Sequence, residues 1–458
     1  MNDSIAHPRN VVLLDRLLRP FRAAPPAAVQ LTDPQIIARQ YRYWQTRVLV
    51  SSIIGYASFY FVRKNLSIAM PFMETGLSIQ KSELGLFLTL HGLLYGVSKF
   101  ANGFFGDRAH ARNLMVTGLA ASAMLNVAFG FSSTVFVLGV IWMLNGWFQG
   151  MGFPPCARLL THWFPPQRLA TKMSIWNTSH PIGGAVILIL CGYLVVFGWR
   201  ICFFVPAAIA LAVAGLLWFT LPDTPPSVGL PEVEGTHHES EERESNENFR
   251  AFVIERVFKN KYIWIVSIAN FFVYVIRYAV LDWGPTMLTE AKHIKITHAA
   301  WMVAGFEFGG LLGALFGGWI TDRFLRGRAV RVCLVYMILA GVSIFVFWKV
   351  SLQSEVLMAG ILASAGFLIY GPQCLLAVTA ANLATKRAAA TAIGLTSIFG
   401  YASTVLSGWG LGALVQHYGW EVAFKGLILV AAMGSLVFAL AWNAKAHGYQ
   451  ADAELRHP

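Results

Sequence analysis

Apolar residues run along the chain in twelve stretches, most of them near or above the ~20 residues that a helix rising 1.5 Å per residue needs to cross a bilayer. Bounded by the polar residues that interrupt them, the predicted spans are 48 to 73, 84 to 105, 113 to 132, 134 to 157, 173 to 196, 200 to 220, 262 to 288, 299 to 321, 330 to 349, 355 to 382, 388 to 414 and 420 to 443. Between the sixth and seventh the pattern fails. Residues 221–261 carry Pro222, Pro225, Pro226 and Pro231 and then the run His237 to Glu244, a composition that buries no core and predicts a solvated linker. The expected organisation is an all-α membrane protein: a tail 1–47, a six-helix half 48–220, the linker 221–261, a second six-helix half 262–443 and a tail 444–458. The first 46 residues are mixed and Arg-rich, which is no signal peptide. Within them, residues 11–22 are amphipathic enough to lie on the inner membrane surface, and equally fit a disordered tail.

Composition agrees. The chain is 56% apolar and only 13% charged, where soluble proteins are about one quarter charged, and this excludes a cytoplasmic enzyme. A formal charge of +12 would suggest nucleic acid in a soluble protein; in a membrane protein its placement decides its meaning. With an even number of spans and both termini cytoplasmic, 24 of the 35 Lys and Arg fall on the side of the termini, six on the other side and five inside spans. That is the positive-inside signal of a multi-pass plasma (inner) membrane protein, and it needs no nucleic-acid partner. The five cysteines, Cys156, Cys191, Cys202, Cys333 and Cys374, lie far apart in or beside apolar stretches, without metal-ligand spacing. No nucleophile–base pair, phosphate-binding loop or metal cluster supports an enzyme or an ATP-driven pump, and no cofactor is expected.

The halves repeat. Gly103-x3-Asp107-Arg108 after the second span returns as Gly318-x3-Asp322-Arg323 after the eighth, 215 residues on. Tyr56, Tyr60 and Arg63 correspond to Asn270, Tyr274 and Arg277 at 214, Pro154-Pro155-Cys156 to Pro372-Gln373-Cys374 at 218, and Gly198-Trp199 to Gly419-Trp420 at 221. An ordered series with slow drift indicates a duplicated six-helix unit, the architecture in which a substrate site lies between halves near the bilayer midplane. The Gly-x3-Asp-Arg turns are expected to let helices approach at glycine and to tie them by charge, in a gating role.

Ionisable residues at the bilayer centre cost roughly 2.5 to 3.5 kcal/mol and so face a partner or a wet cavity. Arg63 and Arg277 both lie near mid-span, and positions i, i+4 and i+7 put Tyr56, Tyr60 and Arg63 on one helix face and Asn270, Tyr274 and Arg277 on its counterpart. Two rigid guanidinium forks suit a divalent oxyanion, phosphate or a phosphomonoester. The internal carboxylates able to neutralise them instead are Asp282 and Glu307, against five cations inside spans: Arg63, Lys64, Lys99, Arg158 and Arg277. Lys99 shares a stripe with His91 and Tyr95 and either adds to the anion path or snorkels. His180 is either a satisfied core residue or a donor to the anion.

At these residues the chain resembles the organophosphate:phosphate antiporter family of the major facilitator superfamily. The likeness spans residues 45–440. It rests on Gly55-Tyr56-Ala57 through Asn65, Tyr95 to Phe100, Asn145 to Cys156, Trp176 to His180, Phe272 to Tyr278 with Leu281-Asp282-Trp283, and Tyr370-Gly371-Pro372. The resemblance implies the major facilitator fold, Arg63 and Arg277 as paired phosphate ligands supported by His180 and Lys99, and Tyr56, Tyr60, Tyr95 and Tyr274 lining the cavity. Lys64, Asp282 and Glu307 would form charge pairs that rearrange during the cycle. It implies exchange of a sugar phosphate or glycerol 3-phosphate for inorganic phosphate by a monomer. The alternative is the family's sensor branch, which binds external hexose phosphate and signals to a membrane histidine kinase. Where some hexose-phosphate carriers have an Asp and a Lys in the eleventh span, Ile393 and Thr396 stand here.

Overall fold

The structure, a computed structural model, describes residues 21–106, 109–233, 251–325, 328–349 and 354–443. It is all-helical: α1 (Pro34–Phe61), α2 (Asn65–Leu77), α3 (Lys81–Gly106), α4 (Ala111–Phe131), α5 (Val135–Gln149), α6 (Phe153–Trp163), α7 (Pro166–Asn177), α8 (Ser179–Leu194), α9 (Ile201–Thr220), α10 (Lys261–Lys292), α11 (Ile296–Phe324), α12 (Ala329–Lys349), α13 (Glu355–Ala402) and α14 (Leu411–Leu440). Local chemistry fixes the starts. Asp33 caps α1 by accepting from the backbone of Gln35 and Ile36, with Pro34 in its first turn; Asn260 caps α10 and Ser354 caps α13.

Four predicted spans are built differently from expectation. The first is two helices, α1 and α2, interrupted at Val62–Lys64, where the backbone N–H groups of both Arg63 and Lys64 turn back to Tyr60 O. The tenth and eleventh are not separated: α13 is one helical stretch of 48 residues, about 72 Å at 1.5 Å per residue and too long for one crossing. Ala363, Phe367 and Gly371 lie beside Gly309, Gly313 and Gly317 of α11 in the same order. Thr396 accepts from Asn270 and Ser407 from Trp283, following α10. Since α10 and α11 form a hairpin, the chain reverses within α13. The twelfth span begins inside α14, at a kink where Gly419 has φ 75°. Ten helical segments among the described residues are long and apolar enough to cross a membrane. The last of them, Thr391–Leu440, contains two crossings, and α1–α2 supplies the crossing that its Arg63 and Lys64 disguise.

Duplication is written in the backbone. Ser78 and His293, 215 residues apart, end the first span of each half in the left-handed region, both at φ 55°. Gly198 and Gly419, 221 apart, both take positive φ, a conformation that glycine adopts at least cost.

The halves meet tightly at the face opposite the termini. Gly85 lies against the main chain of Gly408, and Gly192 against Ala300. Thr89 donates to Thr404 O at 2.7 Å, Gln416 bridges Gln80 and Ser82, and Lys81 pairs with Glu74 of its own half and Glu290 of the other, 3.1 Å away in the second case. At the terminal face the picture inverts. Among the described residues nothing lies within 4 Å of the position a Cβ would take at Gly103 or Gly318, so no close helix approach is made there by those residues, unlike the expectation for the Gly-x3-Asp-Arg turns. Asp107 and Arg108 lie outside the described residues, as does the Asp322 side chain; Arg323 is exposed in the last turn of α11.

Residues 221–233 also differ from the solvated linker expected of them. Asp223 is buried, its carboxylate accepting from Ala24 N and Ala111 N at 3.0 Å and from Arg158 at 3.1 Å. Ala27 and Leu31 bond Pro226 O and Gly229 O, strapping residues 21–31 and 223–231 together over the first half. The run at residues 237–244 and most of the amphipathic segment 11–22 lie outside the described residues.

Candidate functional site

The site is built at the break in the first span. A backbone carbonyl left free inside a bilayer costs several kcal/mol unless something donates to it. Val62 O accepts from the side-chain amides of Asn126 and Asn145, at 2.9 and 2.8 Å, and Asn65 holds Asn126 and Cys202 O. All three asparagines are fully buried. Sequence reasoning quoted Asn65 and Asn145 only as letters of a motif and missed Asn126; a cluster of asparagines in apolar spans was the available signal.

Held by this bracket, Arg63 lays its guanidinium carbon 4.1 Å from the Tyr60 ring centre and 5.0 Å from that of Tyr95. Its Nε is buried with no hydrogen-bond partner. Arg277, in the unbroken α10, donates to the Tyr370 hydroxyl at 2.9 Å and stands 4.6 Å from that ring's centre. Tyr370 in turn donates to Glu307, which is 0% exposed and keeps its other carboxylate oxygen unpaired. His180 sits between the two systems, its ring 6.0 Å from Tyr60 and stacked 6.3 Å from Tyr370. A continuous aromatic path, Tyr60, His180 and Tyr370, therefore links the two arginines across the boundary of the halves.

Lys64 and Asp282, one from each half, form a buried ion pair at 2.5 Å. A small cavity beside it is lined by Arg63, Lys64, His91, Tyr95, Tyr278 and Asp282, with Leu88, Gly92, Trp142 and Thr404 completing the wall. Lys99 reaches across to the Tyr401 hydroxyl at 3.2 Å and lies 4.2 Å from the Phe153 ring centre, so it is directed to the interface rather than along its helix to the surface. Tyr274 packs beside Tyr278 and Tyr401 at the same boundary. Tyr56 stands on the first-half side of this group, its ring 5.8 Å from that of Tyr60 and packed on Trp176 at 4.7 Å. Tyr278, Tyr370 and Tyr401 are not among the site residues expected from the sequence; Tyr278 follows Arg277 in α10, and Tyr370 and Tyr401 reach Arg277 and Lys99 from α13.

The charge balance changes too. Arg158, counted with the deep cations, is paired with Asp223 at the terminal face. Around the site four cations remain, Arg63, Lys64, Lys99 and Arg277, against Asp282 and Glu307. Taken with ordinary charges, the site is two positive charges in excess, and among the described residues no carboxylate is within ion-pair distance of Arg63 or Lys99. A doubly charged phosphate monoester would balance it.

Comparison with known proteins gives the family and the fold. The sequence profile of the Major Facilitator Superfamily matches residues 52–408. A probable hexose phosphate transport protein of Chlamydia muridarum is 38% identical over 437 residues, covering 92% of this chain and 96% of its own. The glycerol-3-phosphate transporter of Bacillus subtilis is 36% identical over 440 residues, covering 93% and 98%. Among solved structures, a bacterial homologue of the human lysosomal transporter Spinster, inward-facing and occupied, superposes with a TM-score of 0.73 over 88% of this chain and 97% of its own at 14% identity, a likeness of fold alone.

Proposed function

The chain belongs to the Major Facilitator Superfamily and is a multi-pass membrane transporter, not an enzyme, related to the hexose-phosphate and glycerol-3-phosphate carriers; from that premise we propose that it exchanges an organic phosphate for inorganic phosphate by alternating access. The observation that carries this reading is the pair Arg63 and Arg277, one in each half, joined through Tyr60, His180 and Tyr370. Lys99 supports the anion from the first half, and Tyr60, Tyr95 and Tyr274 line its path. Tyr56 serves as backing for Tyr60.

The empty site has an excess of positive charge that holds the halves apart. A phosphate engaging both guanidiniums draws them together, and closure loosens the contacts at the opposite face. A ligand drives such a change only through unequal affinity for the states. With the termini in the cytoplasm, the tight opposite face is the outer gate, and the open one faces inward. Lys64–Asp282 crosses the boundary on the closed side and separates when the outer gate opens; Glu307, held through Tyr370, follows Arg277. Asp107, Arg108, Asp322 and Arg323 would act at the inner gate.

The test is exchange in proteoliposomes loaded with inorganic phosphate, with labelled phosphate, glucose 6-phosphate or glycerol 3-phosphate outside. Exchange that needs an internal phosphate is expected. Tight binding without exchange would point to a sensor of hexose phosphate, and uptake driven by a proton gradient without any phosphate counter-ion would overturn the proposal.

A further inference from the structure

Gln149 ends α5, is 2% exposed, and has no hydrogen-bond partner at either Nε2 or Oε1. An amide buried with both ends unpaired is costly, and such groups occur where a ligand or water completes them. Its location follows from helix register. Four residues before it, Asn145 donates to Val62 O, next to Arg63. Four residues after it, Phe153 lies 4.2 Å from the Lys99 ammonium and 6.4 Å from the Tyr56 ring. Between α5 and α6 the chain tightens into i→i+3 turns, Met151 N–H to Phe148 O and Gly152 N–H to Gln149 O, with Gly150 and Gly152 at right-handed helical dihedrals, so Phe153 follows Gln149 directly along the chain. Gly150 packs against Ser98 and Lys99 of α3, which sets Gln149 beside the same helix pair. Its place one turn beyond Asn145 and next to Gly150 sets Gln149 between the levels of Arg63 and Lys99.

Arg63, Arg277 and Lys99 offer donors only, the complement of a phosphate dianion, which offers acceptors. Gln149 is different, because it carries an acceptor as well as donors. A phosphate oxygen can satisfy Nε2 but is repelled by Oε1; both ends are met together by a hydroxyl-bearing group. Resting on the phosphate-exchange reading, we propose that Gln149 is a specificity-determining residue that contacts a hydroxyl of the organic moiety, so that the site takes polyol or sugar phosphates and distinguishes them from inorganic phosphate.

The experiment is the affinity of the purified, full-length protein for inorganic phosphate and for glucose 6-phosphate and glycerol 3-phosphate, in the wild type and in Gln149→Met, which keeps length and loses both polar groups. The affinity of at least one ester should fall by about 10-fold to 100-fold, while that for inorganic phosphate changes by less than about 2-fold. An unchanged ester-to-phosphate ratio for both esters overturns the proposal, and so does a parallel fall for all three ligands, which would mark a packing role. Should Gln149→Met not fold, Gln149→Asn, with the amide on a shorter arm, must lower the same ratio while keeping phosphate affinity; an unaltered ratio there also overturns it. If the wild type binds none of the three, the phosphate reading itself fails and takes this inference with it, whereas binding with an unaltered ratio removes the inference alone.

Discussion

Arg63 and Arg277 stand at equivalent stations of a duplicated unit, and the two halves hold them by opposite means. In the first half the helix is broken at Val62–Lys64 and the loosened carbonyl of Val62 is met by Asn126 and Asn145. In the second half α10 runs unbroken through Arg277. The positions corresponding to Asn126 and Asn145, at offsets of 215 and 218, are Gly341 and Ala363, since no carbonyl there needs a donor. Electrostatics divide in the same way. Arg277 is tied through Tyr370 to Glu307, whereas Arg63 has aromatic rings around it and, among the described residues, no carboxylate within ion-pair distance. The comparison teaches that equivalent stations can hold a cation in different ways; on the proposed exchange, Arg63 would be the unpaired charge that an anion meets, and Arg277 a charge that an anion must share with Glu307.

The largest effects should come from the guanidinium forks themselves. Arg63→Lys and Arg277→Lys each keep a positive charge and lose bidentate geometry, and each should reduce phosphate exchange in proteoliposomes by at least about 100-fold, near the 2–5 kcal/mol loss seen when a buried charged contact is truncated. Full exchange by either variant would break the pairing outright.

Stability should separate the halves next. Arg277→Ala leaves Glu307 buried beside no cation and should cost about 3 kcal/mol of unfolding stability, recovered in part by adding Glu307→Gln. Arg63→Ala strands no carboxylate and forfeits mainly its contacts with Tyr60 and Tyr95, about 1 kcal/mol. Thermal midpoints of the purified variants, measured without ligand, decide this; equal losses for both arginines would erase the contrast.

The bracket at the break predicts a smaller asymmetry. Asn145→Ala leaves Val62 O with Asn126 alone and should cost about 1–2 kcal/mol, with a comparable figure for Asn126→Ala, which also removes one of the two acceptors of Asn65. Small polar replacements at Gly341 or Ala363 should bring no such gain in reverse, because α10 presents no free carbonyl to them.

Much of this contrast could be read in the sequence, and the rest could not for definite reasons. Span positions, the linker's place and the six-helix repeat follow from hydropathy and spacing, because bilayer thickness and helix rise leave little freedom. The arginine pair, Lys64, Lys99 and Glu307 stand out as candidates because an ionisable residue in an apolar run is conspicuous. Tyr370 and Tyr401 were not, because tyrosine is unremarkable in a span until its neighbours are known. The break at Val62–Lys64 contains neither Gly nor Pro, the usual local signals, and depends on side chains reaching it from α4 and α5. Asp223 was assigned to a solvated linker on composition; its burial depends on Arg158 and the amino-terminal strap, which lie 65 and 199 residues away along the chain.

That strap gives the mildest test, and it again concerns one half only. The position corresponding to Arg158 in the second half, 218 residues on, is the buried Leu376, so the Arg158–Asp223 pair has no counterpart there. Burial works to raise the pKa of the Asp223 carboxyl, but the N–H of Ala111, the Arg158 guanidinium and the N–H of Ala24 together hold it below the ordinary value. A carboxyl depressed in the folded state adds stability above its unfolded pKa of about 3.9, and that stability disappears as pH falls through the lower folded value. Thermal midpoints of the wild type should therefore drop more steeply below pH ~4 than those of Asp223→Asn. At neutral pH the variant should be the less stable of the two while binding phosphate as the wild type does. A variant with the same acid profile as the wild type would show that the strap is held by packing alone, and would remove the electrostatic part of the difference between the halves at the terminal face.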